Sequence, residues 1–290
     1  MLNRFTFLAS VIGCASLAFS QTLQEDLVKV CQNNRVVGMS VVAWCRGEIT
    51  DVFSYGQRDI ARNLPVDNST RYRIASISKH VLTIGLMQQY EKGAFHLDDD
   101  VSDVLGFKLR NPYFPHVPIT YRMLLSHQSS LRDSDVYYKF MLHTVASSGR
   151  DIPPLSQLLL ANGAWFSLSH FSQTKAPGTF FEYSNMCFGI LATVLEKLTK
   201  ERFDVYIRQN VLLPLQVKAS FNLWDIEDIN NMSVLYTNGN PQADDYKGVM
   251  PPKPDMTGYV PGTNAFKFSP QAGLKITALE LAKIQNMFYR

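Results

Sequence analysis

The chain has 290 residues, a net charge of +3, 46% hydrophobic residues and 18% charged residues. A chain of this length can bury a substantial core, as one large domain or as two lobes, and its composition excludes extensive disorder. Lysine and arginine form no run interleaved with aromatic residues, so we do not expect the protein to bind nucleic acid.

The N-terminus has the pattern of a secretory signal peptide. Arg4 precedes an apolar stretch from Phe5 to Phe19, and Ala18 and Ser20 supply small residues at the two positions that a signal peptidase inspects. We expect a secreted, mature protein that starts near Gln21. The alternative is a membrane anchor, but the stretch is short for a spanning helix. No later segment reaches the roughly 18 apolar residues that a membrane helix needs.

A helix and a β-hairpin are predicted at the start of the mature chain. Leu23 to Cys31 has the spacing of a surface helix. Val36 to Cys45 is apolar and rich in β-branched residues, which predicts a strand buried on both faces. Arg46 and Gly47 then turn the chain into a second strand, Ile49 to Tyr55, and the hairpin is expected to belong to a larger sheet.

The stretch from Tyr72 to Gly93 contains a serine and a lysine one helical turn apart. Ser76 stands at the start of an apolar helical run, Lys79 follows three residues later, and Gly93 suits the end of the helix. At about 3.6 residues per turn, the hydroxyl and the amine share one face, where the amine could take the hydroxyl's proton. Taken alone, the pattern is more typical of an N-cap serine and an exposed lysine.

Most of the remaining chain is predicted to be helical. The exception is Asp225 to Gly262, which is rich in loop-forming residues, and a stretch of this length without regular structure is usually functional or mobile. A turn at Pro177 and Gly178 leads into an extended loop, Glu182 to Asn185. The predicted helices are Asp99 to Leu105, Thr120 to Ser126, Asp135 to Ala146, Leu155 to Leu160, Met186 to Lys200, Phe203 to Leu212 and Ala278 to Tyr289.

Neither the cysteines nor the histidines indicate a metal site. Cys14 falls in the signal sequence, and Cys31, Cys45 and Cys187 lack CxxC or CxxH spacing. An odd number leaves at least one cysteine without a partner in the chain. A bridge between Cys31 and Cys45 is one option, and Cys187 is predicted to be a small core residue. The histidines form no HxH or HExxH pattern, so we expect neither a zinc site nor a cofactor.

Six segments together resemble, in the right order, those of one enzyme family. They are IASISK, LMQQYEKGAFHLDDDVSDVL, ITYRMLLSHQSSL, APGTFFEYSN, VLLPLQV and SPQAGLKITALELAK. This family is the serine β-lactamase-related family, which includes class C β-lactamases, D,D-peptidases and esterases of the penicillin-binding fold. The resemblance extends from about Val36 to Lys283, and its most specific feature is SxxK followed by YxN.

The resemblance implies an α+β protein of the β-lactamase/transpeptidase-like fold, with an antiparallel sheet and a large, mainly helical lobe. Residues 1–20 are then the signal peptide and residues 21–290 the domain, with 21–72 in the sheet lobe and 73–290 mostly in the helical lobe. Of the sheet, only the N-terminal hairpin is expected, so the domain is predicted to lack its C-terminal strands.

The resemblance also assigns four site residues. Ser76 is expected to be the nucleophile of an acyl-enzyme, with Lys79, in its neutral form, as the base. Tyr183 is expected to pass the proton to the leaving group, although it could instead be a half-buried aromatic residue of its loop. Asn185 is expected to orient Lys79 or a substrate amide, and the backbone N–H of Ser76 to supply one oxyanion donor. His127 is predicted to be a structural hydrogen-bonding residue.

The chain departs from the family in two respects. The third motif, Lys or His, then Ser or Thr, then Gly, is missing, because Lys275-Ile276-Thr277 lacks the glycine. The simplest interpretation is a fragment or a truncated sequence, in which the strand Val36 to Cys45 would be an exposed edge. In addition, Ser130, Lys200 and Gln216 stand where the family has glycine, and each is strained if its φ is positive.

These observations lead to two hypotheses of different classes. The first is a secreted serine hydrolase that acts through a Ser76 acyl-enzyme on a small-molecule or peptide amide or ester. A peptidase or esterase is favoured over a β-lactamase, because deacylation needs an activated water that no residue pattern places. The alternative is a catalytically inert family member or truncated fragment that serves as a binding or structural protein, as the missing third motif suggests. The sequence specifies neither the substrate nor an oligomeric state.

Overall fold

The computed structural model describes residues 23–289, so the predicted signal sequence lies outside the described part of the chain. The described residues form two units. The first contains the chain up to Tyr72, Asp228–Val249 and the chain from Ile276, and the second contains Arg73–Glu227 and Met250–Lys275. The division predicted from the sequence, between residues 72 and 73, is a boundary between the units. The sequence did not predict that Asp228–Val249 and the chain from Ile276 belong to the first unit.

The first unit begins with helix α1, residues 23–33, and a three-stranded antiparallel sheet in the order β1-β2-β3. The strands are β1 Gly38–Cys45, β2 Glu48–Asp59 and β3 Leu64–Pro65. Arg46 and Gly47 connect β1 to β2 with φ angles of 51° and 86°. Two positive φ angles in a two-residue connection are typical of a type I′ turn, which matches the twist of the strands. The predicted hairpin is confirmed.

Strand β1 is half-buried, so the expectation that both of its faces are buried is wrong. Its first seven residues have intermediate exposure and Cys45 is exposed. Among the described strands β1 pairs only with β2, which makes it an edge of the sheet, as predicted. An apolar, β-branched run indicates that a strand is partly covered, but it does not show whether a second layer covers the other face.

The second unit is mainly helical, and further short strands complete the two units. Strands β4 and β7 form one two-stranded sheet, and β5 and β6 form another. Among the described helices, none has the length and apolar character needed to cross a membrane. The α-helices of the second unit are α2 Ser78–Glu91, α3 Ser102–Leu105, α4 Tyr121–Leu125, α5 Asp135–Ala146, α6 Ser156–Leu159, α7 Asn185–Thr199 and α8 Phe203–Ile207, and helix α9 Ala278–Asn286 belongs to the first unit. The strands are β4 Arg71–Arg73, β5 Leu235–Thr237, β6 Asn240–Ala243 and β7 Lys275–Thr277.

Helix α7 supplies much of the core of the second unit. Its residues from Met186 to Glu196 are all buried. Gly189 lies so close to the ring of Phe266 that an added Cβ would overlap the ring atoms. This close approach fixes α7, whose N-terminus carries Asn185, against the segment that contains Phe266.

The cysteines are all free in the described part of the chain, so the suggested bridge between Cys31 and Cys45 is wrong. Cys31 is buried in α1, whereas Cys45 is exposed at the end of β1. Cys187 is buried in α7, as predicted, and its thiol lies 3.2 Å from Ser129 Oγ. Burial raises the pKa of the Cys187 thiol to about 11, which keeps it protonated and unreactive near neutral pH.

Three residues that stand in place of glycine adopt left-handed backbone conformations. The φ angles are 62° for Ser130, 62° for Lys200 and 55° for Gln216. Lys200 ends α7 and Gln216 ends the turn after α8, which are positions where a left-handed residue closes a helix. Because all three φ angles are positive, the strain expected for a side chain in this conformation applies at each position.

A buried glutamate in α7 holds the loop that follows Met250. The carboxylate of Glu196 accepts hydrogen bonds from the N–H of Phe203, the N–H of Gly262 and the hydroxyl of Tyr259, at 2.9, 2.7 and 2.7 Å. Burial raises the pKa of Glu196 to about 7, and the negative charge of Asp204 adds to the effect. The folded state therefore binds a proton at this carboxyl more tightly than the unfolded state.

This shift predicts a pH dependence of stability. Between about pH 4.5 and 7 only the folded state keeps Glu196 protonated, so the free energy of unfolding should fall as pH rises through this window. The change is at most on the order of 3 kcal/mol. Glu196→Gln should remove this slope, and the exposed Glu227→Gln should leave it intact. Urea unfolding at several pH values checks this, and an unchanged slope in Glu196→Gln would disprove it.

Candidate active site

The predicted nucleophile lies in a strained turn ahead of α2. Ala75 has a φ of 46°, a left-handed conformation that is uncommon for residues with a side chain. Ser76 follows within a 3-10 turn of three residues, and α2 begins at Ser78, two residues later than predicted. Leu274 holds the turn through its carbonyl, 3.0 Å from the N–H of Ile74, and its N–H, 3.1 Å from Ser78 Oγ. The side chain of Ser76 is exposed at this turn.

The hydroxyl of Ser76 lies between an amine and a phenol. Lys79 Nζ donates a hydrogen bond to Ser76 Oγ at 2.9 Å. The hydroxyl of Tyr183 lies 2.7 Å from the same oxygen, and either oxygen can be the donor. Both distances are within the range for direct proton transfer by a general base or acid. The arrangement can therefore remove the hydroxyl proton of the serine and carry it to a second group.

Lys79 is buried among uncharged groups. Its side chain is 6% exposed, and Nζ also donates to Asn185 Oδ1 at 2.8 Å and to the carbonyl of Gln271 at 2.9 Å. The rings of Tyr183 and Phe188 lie 5.0 and 5.6 Å from Nζ. A hydroxyl, an amide and a carbonyl are all neutral acceptors. The amine can thus exchange a proton with Ser76 without first breaking a salt bridge.

Asn185 is the first residue of α7, and a carboxylate from another segment caps this helix end. Asp133 Oδ2 accepts from the N–H and from Nδ2 of Asn185, at 2.9 and 2.8 Å. Asp133 Oδ1 accepts from the N–H of Met186 at 3.0 Å and from Ser184 Oγ at 2.8 Å. The first N–H groups of a helix have no partner within the helix, and its N-terminus attracts negative charge. Asp133 meets both needs.

His127 supports the loop that carries Tyr183. Its Nδ1 accepts a hydrogen bond from the N–H of Ser184 at 3.1 Å, and its ring centroid lies 4.4 Å from that of Tyr183. Burial and the charge of Lys79 lower the pKa of His127, which Asp133 partly offsets. A neutral ring with an accepting Nδ1 carries its proton on Nε2. The predicted structural hydrogen-bonding role of His127 is confirmed.

A cavity of about 780 Å³ opens beside Tyr183 and Asn185. Its wall includes Tyr138 and the ion pair between Arg132 and Glu182, whose atoms are 2.7 Å apart. A second cavity of about 830 Å³ lies within the first unit, and none of the four predicted site residues lines it. Tyr183 and Asn185 line the first cavity, whereas Ser76 and Lys79 do not, so it is a candidate substrate pocket that adjoins the nucleophile through Tyr183.

The remaining features of the site concern ions and backbone donors. Within residues 23–289, no group of three or more His, Cys, Asp or Glu side chains could hold a metal ion.

Ser76 lies in the first turn of its helical segment, where backbone N–H groups lack an acceptor inside the helix. Its N–H is thus suited to be the predicted oxyanion donor.

The structure brings all four predicted side chains together within one unit. Ser76, Lys79, Tyr183 and Asn185 form a continuous chain of hydrogen bonds. Sequence reasoning missed Asp133 and the carbonyl of Gln271. No signal for the first was available, because Ser184 is a favourable N-cap residue by type, yet its hydroxyl donates to Asp133 instead of capping the helix. A backbone carbonyl leaves no signal in the residue types.

Comparisons with known proteins show which family the chain belongs to. A family model described as Beta-lactamase matches residues 20–285. Protein flp of Staphylococcus aureus strain MW2 is 25% identical over 196 residues, which cover 68% of this chain and 36% of that protein. A penicillin-binding protein of Bacillus subtilis strain 168 is 28% identical over 196 residues, covering 67% and 39%. The chain thus spans less than half the length of these curated relatives.

Solved structures share the fold. The octameric penicillin-binding protein homologue from Pyrococcus abyssi superimposes with a TM-score of 0.65 and 23% identity, over 92% of this chain and 56% of that chain. A mutant class C beta-lactamase gives a TM-score of 0.63 and 20% identity, over 92% and 63%. These likenesses support the predicted α+β, β-lactamase/transpeptidase-like fold. With the family model matching most of its length, the chain belongs to the beta-lactamase family.

Proposed function

We propose that this protein is a secreted serine hydrolase that cleaves an ester or a peptide amide through an acyl-enzyme on Ser76. The observation that carries the proposal is the position of Ser76 Oγ, within 2.9 Å of Lys79 Nζ and 2.7 Å of the Tyr183 hydroxyl. A serine hydroxyl is a weak nucleophile until a neighbouring group takes its proton. Secretion rests on the N-terminal pattern alone, and sequencing of the exported protein, expected to start near Gln21, tests it.

The proposed reaction has two stages. Ser76 Oγ attacks the substrate carbonyl carbon while its proton passes to Lys79, and the oxyanion is held by the N–H of Ser76. The proton then passes through Tyr183 to the leaving alcohol or amine as the bond to it breaks, which leaves the acyl-enzyme. In the second stage water attacks the acyl carbon and its proton passes through Tyr183 and Lys79 to Ser76 Oγ as the bond between Oγ and the acyl carbon breaks, which releases the acid product and restores the Ser76 hydroxyl.

The surroundings of the site support an ester or peptide substrate. The cavity beside Tyr183 and Asn185 is large enough for a small ester or a short peptide segment. Asn185 has its Oδ1 on Lys79 and its Nδ2 on Asp133, so its proposed task is to hold the lysine rather than to bind substrate. The Bacillus subtilis relative is named for binding penicillin, which is consistent with acylation of a serine by an amide-like carbonyl.

Turnover of a substrate panel tests the proposal. We expect the protein to hydrolyse p-nitrophenyl acetate and a chromogenic peptide amide or ester. We also expect a fluorescent penicillin to label Ser76 and to be released slowly, because Tyr183 and Lys79 can take the proton of a water but no side chain is assigned to place that water at the penicillin-derived acyl group. Rapid hydrolysis of nitrocefin would contradict the preference for esters and peptides. Lack of both turnover and label would reject the hydrolase and favour an inert family member.

A further inference from the structure

Asp133 has contacts that extend beyond capping a helix. Its carboxylate accepts four hydrogen bonds, of which two come from backbone N–H groups of α7 and one from the hydroxyl of Ser184. The fourth comes from the side-chain amide of Asn185, with 2.8 Å between Nδ2 and Oδ2. That amide is the one whose oxygen contacts Lys79. Asp133 is thus connected to the lysine through a single side chain.

The chemistry of these groups fixes the orientation of the amide. A carboxylate only accepts hydrogen bonds, whereas an amide has a donating and an accepting end. The NH₂ end of Asn185 must therefore face Asp133, and the oxygen is left for Lys79 Nζ at 2.8 Å. The reversed amide would set two oxygens against each other at Asp133 and would direct an NH₂ group at the lysine amine.

We propose that Asp133 is a positioning residue of the acyl-transfer site, which locks the Asn185 amide with its oxygen towards Lys79. This inference rests on the proposed function as far as catalysis is concerned. Within residues 23–289, the hydrogen bonds that Asp133 accepts at the site come from residues 184–186 and not from Ser76 or Lys79, so Asp133 acts through Asn185. Without the lock, the amide rotates and Lys79 loses one of its three acceptors, so that the amine is no longer held at the hydroxyl of Ser76.

A double-mutant cycle separates this role from helix capping. Asp133→Asn should lower kcat for p-nitrophenyl acetate by about 10- to 100-fold with little change in KM, the size of effect that misplacement of a catalytic group produces. In an Asn185→Ala background the same substitution should change kcat by less than about threefold, because the group it positions is already gone. Asp133→Asn should lower the unfolding temperature by a similar amount in both backgrounds, because the backbone N–H groups of residues 185 and 186 that Asp133 caps are present in both.

Two further variants make the result decisive. Asp103→Asn removes an exposed carboxylate from the first turn of α3 and should leave kcat unchanged. If Asp133→Asn does not fold, Asp133→Glu takes its place, because it displaces the carboxylate by one methylene. It should also lower kcat in the wild-type background and change kcat little in the Asn185→Ala background. An equal loss of kcat in both backgrounds, or no loss in either, would overturn the proposal.

A second readout does not depend on turnover. The side-chain amide signal of Asn185 in a ¹H–¹⁵N spectrum, assigned by its loss in Asn185→Ala, should shift in Asp133→Asn and stay in Asp103→Asn. If the protein shows no Ser76-dependent activity, the proposed function fails, but this shift still supports the lock. An unshifted signal overturns it, whatever the kinetics show.

Discussion

Replacing the hydroxyl of Ser76 is expected to abolish turnover. Ser76→Ala should lower kcat/KM for p-nitrophenyl acetate by about 10⁴-fold or more, because loss of a nucleophile removes the covalent route and leaves only binding and oxyanion stabilisation. Ala at this exposed position removes no buried contact, so the variant should unfold at nearly the wild-type temperature. Initial-rate kinetics measure the loss of kcat/KM, and a thermal melt measures the unfolding temperature.

The control for Ser76 is a serine outside the site. Ser126 is exposed at the end of α4, where its hydroxyl donates to the carbonyl of Arg122 and to Gln128 Oε1, and Ser126→Ala should retain full activity. A Ser76→Ala variant that keeps more than about a tenth of the wild-type rate would exclude a Ser76 acyl-enzyme, because such losses are usually several orders of magnitude.

Removing the amine of Lys79 is the second large effect. Lys79→Ala should lower kcat by about 10² to 10⁴, the usual contribution of a general base. Lys79→Arg should be nearly as inactive, because a guanidinium keeps its proton and cannot accept one from Ser76. Lys92→Ala, at the exposed C-terminal end of the same helix, is the matched control and should behave like the wild type.

The arginine variant decides what Lys79 does. If the lysine served only as a fixed positive charge near the oxyanion, Lys79→Arg would keep much of its activity while Lys79→Ala would not. Substantial activity in Lys79→Arg would therefore contradict the base role, and the proton acceptor would then have to be Tyr183.

The sequence predicted those features that depend on local patterns. Helix α5, Asp135–Ala146, has the predicted bounds, because Ser134 caps its start and its apolar residues repeat at helical spacing. The turn at Arg46 and Gly47 was readable from residue type. The four site residues could be named because SxxK and YxN match, in type, order and spacing, the motifs of the family that the sequence resembles.

What the sequence could not predict depends on contacts distant along the chain. The stretch Asp225 to Gly262 contains the hairpin of β5 and β6, whose strands of three and four residues are too short to show an alternating pattern. The helix predicted to run from Phe203 to Leu212 is α-helical only to Ile207. It continues as a π-helical turn, because Pro214 offers no N–H and its ring crowds the carbonyl four residues earlier.

The site shows the same limit. The pairing of Ser76 with Tyr183 follows from motifs, whereas the link from Asn185 to Asp133 joins residues 52 apart through side chains of ordinary type. The carbonyl of Gln271 reaches Lys79 across 192 residues of sequence. Such partners become visible only when the packing of α7 and of the segment around Leu274 is known.

The most direct measurement is the mass of the covalent intermediate. Protein mixed with a fluorophosphonate or a penicillin, then digested and analysed by mass spectrometry, should carry one adduct on the peptide that contains Ser76. Ser76→Ala should carry none, and Ser126→Ala should be modified like the wild type. An unmodified protein, or an adduct on a different residue, would contradict the central claim that Ser76 forms the acyl-enzyme.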